Sequence, residues 1–377
     1  MTEKRRKNFW PAVAVMVGYI IGVGMFGLPF LIARAGVLTF FIFLLFLGPI
    51  QYLLHLIYAN LIVATKTYHR LPGYTGVYLG QTARRLVFVA KLIGNYGALL
   101  AYIIITGIFL HQLLSPYFGG SEFFYASLLF AFEAMVVFLG IGMMAQVEFL
   151  MTLLLLLIVV LIAVRGWPFM SLSNIPLVNW HYFLLPYGAI LFSLDGSGSL
   201  PIVVKLLRRD EKAIKKVVQI GTFLPIVVSI IFTLSIVAIT GAATTEDALT
   251  GVNEVLGDGV VLLALIFGIL TMVTSFLGVA ESVKETFWWD FKFNKHLAWF
   301  LAVFVPYGLY LVGFKNFINV ISFVGALAGG FCAIIMILIF QRLRQADKLP
   351  LFKRKPPVWL IYLLIALFAG GIIYVII

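Results

Sequence analysis

Apolar runs of 18 to 29 residues follow one another along the chain, each closed by a short polar or basic segment. Spans are predicted at about 10 to 33, 37 to 64, 86 to 114, 122 to 144, 147 to 165, 181 to 204, 216 to 241, 256 to 282, 296 to 313, 317 to 340 and 357 to 376. A helix needs about 20 apolar residues to cross the hydrocarbon of a bilayer, so the pattern describes eleven transmembrane helices. The basic cluster Lys4, Arg5, Arg6 and Lys7 before the first run superficially resembles the start of a secretory signal. No small-residue cleavage site closes that run, which continues through glycines to Pro29, so it is expected to stay as a span.

Composition agrees. Of 377 residues, 63% are hydrophobic and 11% charged, against about a quarter charged in soluble domains. The eleven spans leave only short loops and no room for a soluble catalytic domain. The single cysteine, Cys332, excludes an internal disulfide and a cysteine-rich metal site. The net charge of +12 would in a soluble protein suggest nucleic acid. Sorting loops alternately to two sides, however, puts 24 of the 27 Lys and Arg residues on the side of the N-terminus and leaves Arg34, Arg165 and Lys315 opposite. That bias sets orientation: the N-terminus is expected in the cytoplasm, the C-terminus outside, in a multi-pass protein of the cytoplasmic (plasma) membrane. The basic loops meet anionic lipid, and no nucleic-acid partner is expected.

Two spans carry matching interruptions. The first contains Gly22-Val23-Gly24-Met25-Phe26-Gly27-Leu28-Pro29, the sixth Leu194-Asp195-Gly196-Ser197-Gly198-Ser199-Leu200-Pro201. A shift of 172 residues lays Gly24 on Gly196, Leu28 on Leu200 and Pro29 on Pro201. Four spans lie between the two, an offset of five, so they enter the membrane from opposite sides. The arrangement is that of a five-plus-five inverted repeat, residues 9–166 and 181–340, with an extra helix at 357–376. Glycine weakens a helix and proline withholds an N–H, so both segments are expected to unwind. Unwound backbone at that depth is tolerated only against protein or a water-filled cavity. Freed N–H groups suit a carboxylate, and freed carbonyls suit an ammonium group or a cation. A zwitterionic amino acid meets both demands. Close packing at glycines and simple kinking at prolines are the alternative explanation of each segment alone.

At these residues the chain resembles the amino acid/polyamine/organocation transporters of LeuT-type fold. Within them it is most similar to the amino acid/auxin permease group and the bacterial hydroxy and aromatic amino acid permeases. The motifs are Gly18-Tyr19-Ile20-Ile21-Gly22-Val23-Gly24-Met25-Phe26-Gly27-Leu28-Pro29, Leu185-Pro186-Tyr187-Gly188-Ala189-Ile190-Leu191-Phe192-Ser193 and Thr274-Ser275-Phe276-Leu277-Gly278-Val279-Ala280. The resemblance implies an all-α bundle with helices 1 and 6 discontinuous. The N–H groups around Gly22, Val23 and Gly24 would receive a substrate carboxylate. Carbonyls near Tyr19, Ile20, Phe192 and Ser193 would take its ammonium, with Phe192 closing over it. In sodium-coupled members a cation lies between the first and eighth spans, which maps to carbonyls of Gly18 and Ile21 and hydroxyls of Thr271, Thr274 and Ser275. Oxygen ligands suit a hard cation, and hydroxyls that bond their own helix are the competing reading. Some proton-coupled relatives place a lysine from the fifth span in the sodium position, and this fifth span has none. The coupling ion, sodium or proton, stays open at this point.

Charged groups inside a span are functional candidates by default. Asp195, within the sixth-span break, either meets the substrate ammonium, holds a cation, exchanges a proton, or caps the following half-helix through Ser197 or Gly198. Glu133, mid-span, is expected to have a buried ion pair or hydrogen bond to a neighbouring helix, with a role in proton coupling as the alternative. Lys91 is expected to snorkel to the cytoplasmic interface, and Glu281, Lys284 and Glu285 to pair at the surface. Tyr96 and Tyr102 in the third span are candidates for the central site. His55, His69, His111, His181 and His296 are scattered, offer no metal spacing, and leave the chain without an expected cofactor. The expected function is secondary active transport of amino acids by alternating access, with the first, second, sixth and seventh spans rocking on the third, fourth, eighth and ninth. A sodium-independent exchanger or facilitator of amino acids or organic cations, a channel, and a membrane amino acid sensor are the competing readings. The tails are too short for a sensor's effector domain, and the chain has neither a phosphate loop nor a catalytic constellation for an enzyme.

Overall fold

The computed structural model describes residues 3–65, 67–140, 145–257 and 259–376. Lys66, among the basic loop residues, lies outside them. Among the described residues ten helices are long and apolar enough to cross a membrane, eleven when the bent pair Asn8–Ile20 and Gly24–Ala35 is one span. The others are Val37–Ala64, Gln81–Phe118, Glu122–Leu139, Leu150–Phe169, Tyr187–Leu206, Glu211–Ala243, Gly259–Trp288, Lys295–Val312, Phe317–Gln345 and Val358–Ile376. The largest difference from the sequence reading is at the third span, where a continuous helix starts at Gln81 and carries Arg84 and Arg85 in its first turn. Apolar count alone begins that span too late, because helix continues past the bilayer edge wherever backbone partners are available.

One order of elements occurs twice: a broken span, a long span, a short helix, then another long span. The short helices are Leu71–Leu79 after the second span and Leu249–Leu256 after the seventh. An odd number of crossings places them on opposite sides.

The first, second, sixth and seventh spans pack together, as do the third, fourth, eighth and ninth, and the fifth touches both groups through the seventh and eighth spans. The tenth lies against the sixth, third and second and carries the eleventh on its outer side. The connection after the fifth span closes over the turn between the first and second. Val37 and Leu38 donate N–H bonds to the carbonyls of Pro176 and Leu177, and Asn179 donates to Ala35. Gly36 permits this turn: its φ is +92°, and a Cβ there would lie 2.5 Å from the Val178 Cα.

At the side of the N-terminus, Lys284 departs from the expected surface pairing. It is 1% exposed, pairs with Glu281, and donates to the Val137 carbonyl at 2.8 Å. It therefore ties the eighth span to the last turn of the fourth, adding a second donor to a carbonyl that otherwise accepts, among the described residues, only the Gly140 N–H, at 3.3 Å. Lys284→Met is expected to cost about 1–3 kcal/mol of stability, read as a lower thermal midpoint in detergent; an unchanged midpoint would contradict the tie.

Candidate functional site

The first span loses its helical pattern at residues 21–23, and its halves meet at 51°. The sixth runs Tyr187–Ser193, opens at residues 194–196, tightens into a 3-10 turn Ser197–Ser199, and resumes at Leu200–Leu206 without a comparable bend. Both breaks follow from the Gly and Pro residues that mark them. They meet face to face: a Cβ on Gly24 would lie 2.9 Å from the Ser193 Cα and 2.8 Å from the Phe192 ring. Only glycine permits that approach.

The two openings differ in what they leave unpaired. Ile21 N–H still reaches the Val17 carbonyl, and Met25 and Phe26 bond back to Gly22 and Val23. Among the described residues the N–H groups of Gly22, Val23 and Gly24 donate no backbone bond, and the carbonyls of Gly18, Ile20, Ile21 and Ser193 accept none. In the sixth span, side chains take the freed groups. Asp195 accepts the Ser197 N–H at 2.9 Å and its hydroxyl at 3.2 Å, which is the capping alternative for that residue. His55 Nε2 accepts the Gly196 N–H at 2.9 Å. Gln51 Nε2 donates to the Leu191 carbonyl at 3.4 Å. Donors are thus left open at the first break, and carbonyls at both.

A cavity of about 230 Å³ joins the breaks. Its wall includes Tyr19, Ile20, Gly22, Val23, Gly24, Tyr102, Phe192, Ser193 and Asp195, so every residue expected at the substrate site is in it. Thr274 and Ser275 also line it, whereas Gly18, Ile21 and Thr271 are absent from its lining. Thr274 Oγ1 donates to the Thr271 carbonyl and Thr271 Oγ1 to that of Phe267, so both protons are spent on their own helix and the oxygens keep lone pairs. The lining continues through Lys91, Ile202, Ser282 and Arg70 toward the side of the N-terminus. On the opposite side Phe26 packs edge-on against Phe109 and Phe232, all three buried. The cavity therefore extends toward one side and is sealed on the other. In the tenth span a π-helical stretch, Gly325–Gly329, carries Gly325, Ala328 and Gly329 into the wall; such bulges aim residues at sites.

Four side chains stand apart from their sequence expectation. Lys91 points to the sixth-span break, donating to Ser197 Oγ at 3.1 Å, and does not run to the interface. Tyr96 donates to the Leu301 carbonyl of the ninth span and is absent from the cavity lining. Glu133 is fully buried, and neither carboxyl oxygen has a hydrogen-bond partner among the described residues. His55 is not a scattered histidine: its Nδ1 lies 2.9 Å from Thr222 Oγ1 while Nε2 accepts from Gly196, which fixes the neutral tautomer with its proton on Nδ1. One signal in the sequence pointed to the second span, since Gln51 and His55, four residues apart, put two polar groups on one face of an otherwise apolar helix.

No curated protein matches the chain. Residues 5–377 match the model of the tryptophan/tyrosine permease family. Among solved structures, that of MhsT in complex with L-phenylalanine is similar at a TM-score of 0.71 and 13% identity, covering 97% of this chain and 97% of that one. At that identity the likeness establishes the LeuT-type fold and nothing about the ligand.

Proposed function

The chain belongs to the tryptophan/tyrosine permease family, a transporter and not an enzyme, and we propose that it moves amino acids, with aromatic or hydroxylated side chains preferred, by alternating access. One observation carries this reading: two broken helices meet in a single cavity, presenting open donors on one and open carbonyls on both. The substrate carboxylate lies on the N–H groups of Gly22, Val23 and Gly24, at the positive end of the half-helix Gly24–Ala35. Its ammonium lies on the open carbonyls of Ile20 and Ser193, with those of Tyr19 and Phe192 beside them, the Phe192 carbonyl also accepting the Asp195 N–H at 3.3 Å. Tyr102 and Phe192 bound the space left for the side chain, and their rings favour an apolar or aromatic group. Consistent with this, the solved MhsT structure of the same fold holds L-phenylalanine.

Each repeat, 9–166 and 181–340, contributes two spans to the moving group, the first, second, sixth and seventh, and two to the fixed group, the third, fourth, eighth and ninth. The closed Phe26, Phe109 and Phe232 side faces outward and the open side faces the cytoplasm, as the basic loops imply. Within the superfamily, the amino acid/auxin permease group is the placement favoured by the motifs. Accumulation draws on a sodium or proton gradient. Sodium would take the carbonyls of Gly18 and Ile21 with the hydroxyls of Thr271, Thr274 and Ser275, whereas a proton needs none of them.

Counterflow in proteoliposomes tests the reading. Vesicles loaded with unlabelled L-tryptophan or L-tyrosine are expected to draw in the labelled form transiently above equilibrium, which a channel does not do. Separately imposed sodium and pH gradients then identify the driving ion. Absence of counterflow across a panel of neutral amino acids would refute amino acid transport.

A further inference from the structure

We infer that Lys91 is a built-in counter-cation for Asp195, and that by neutralising this carboxylate it restricts the site to zwitterionic amino acids and excludes amines that lack a carboxylate. The inference rests on the transport reading and names the substrate class of that same site.

Asp195 is the one carboxylate lining the cavity among the described residues. An unbalanced carboxylate beside the open carbonyls would attract any amine small enough to enter. Its surroundings are not unbalanced. Lys91 Nζ, from the third span, lies 4.0 Å from Asp195 Oδ2 and 3.1 Å from Ser197 Oγ. Both side chains keep partial access to the cavity, 27% and 38% exposed, so the pair sits in its wall.

The remaining titratable groups do not change this balance. His55, behind the break, is held neutral by its two hydrogen bonds. Tyr19, Tyr58 and Cys332 lie within electrostatic reach of Lys91, and all three are neutral at physiological pH in their ordinary state. Arg70, further along the lining, is itself within electrostatic reach of Glu285, which balances its charge outside the break. A ligand entering the cavity thus meets Lys91, one carboxylate already paired with it, and the open N–H groups of the first break. An amine alone gains no free carboxylate and is repelled by the Lys91 ammonium. A zwitterion gains the N–H groups for its carboxylate and the carbonyls for its ammonium. The selection resides in charge placement, since an amino acid and its decarboxylated amine share the same side chain.

The experiment compares each amino acid with its own amine, L-tyrosine with tyramine and L-tryptophan with tryptamine, as competitors of labelled amino acid in binding and counterflow. In the wild type the amine is expected to compete about 100-fold more weakly, the loss expected when about two charge-assisted hydrogen bonds to the carboxylate are absent. In Lys91→Met the exposed Asp195 carboxylate is expected to narrow that ratio at least tenfold by strengthening the amine. Lys91→Arg keeps the wild-type ratio, and Lys91→Met/Asp195→Asn returns to excluding amines. Gain of amine binding cannot arise from misfolding.

An amine that competes as well as the amino acid in the wild type, or an unchanged ratio in Lys91→Met, overturns the inference. So does a monodisperse Lys91→Met protein that binds neither ligand while the double variant stays equally inert. Should Lys91→Met fail to fold, Lys91→Gln takes its place with the same expected change in ratio. Wild-type counterflow separates the two levels: without it the transport reading fails, whereas with it and with amines accepted only the role of Lys91 fails.

Discussion

Placing one methyl group on Gly24 is expected to reduce transport by more than about 100-fold, because the atom it strikes cannot move aside. A Cβ at this position would lie 2.9 Å from the Ser193 Cα and Cβ and 2.8 Å from the Phe192 ring. The ring can rotate, but Ser193 ends the first half of the sixth span. Moving its backbone shifts the unpaired carbonyl that the site presents. Overpacking of this kind costs about 1–3 kcal/mol or more, and here the cost falls on the geometry that faces the substrate. Gly24→Ala protein should stay folded in detergent yet lose counterflow. Gly308→Ala, in the ninth span with open space around it, should behave as wild type. Gly24→Ala within threefold of wild-type activity would mean that the halves do not meet in the working transporter.

Much of this was legible in the sequence, for reasons that particular residues make plain. The spans announce themselves because lipid demands long apolar runs. The breaks at Gly22-Val23-Gly24 and Asp195-Gly196-Ser197 were visible because glycine and proline act locally, on their own backbone. The residues that the structure adds act at a distance. Lys91 has a long stem that reaches either the interface or the sixth span, and only the packing of the third span against the tenth decides its direction. Lys284 stands beside Glu281 and Glu285 as an ordinary surface cluster would, and the incoming end of the fourth span is what buries it. Thr271, Thr274 and Ser275 were located by resemblance, yet of these only Thr274 and Ser275 line the cavity. Sequence pattern tells which backbone must open; it does not tell which distant side chain will hold the opening in shape.

His55 is such a holder, and His55→Phe is expected to lower transport by about 100-fold together with thermal stability. The imidazole is 1% exposed and joins three spans of the moving group. Its Nε2 accepts the Gly196 N–H from the sixth, its Nδ1–H donates to Thr222 Oγ1 of the seventh, and its own helix is the second. Phenylalanine keeps the ring but leaves a buried amide N–H without an acceptor, at about 1–3 kcal/mol for such a group. The released Gly196 also removes the restraint on the adjoining Asp195 and Ser197. The variants should fall in an order set by which bond each removes. His55→Gln, whose amide oxygen can still accept from Gly196, should retain the most activity. Thr222→Val, which takes only the acceptor of Nδ1–H, should be intermediate. Combining Thr222→Val with His55→Phe should add little to His55→Phe alone, because the two residues share one network. Counterflow rates and thermal midpoints measured side by side check the order. If His55→Phe transports within threefold of wild type, or the double variant shows fully additive loss, the second span does not hold the break and the moving helices are joined by packing alone.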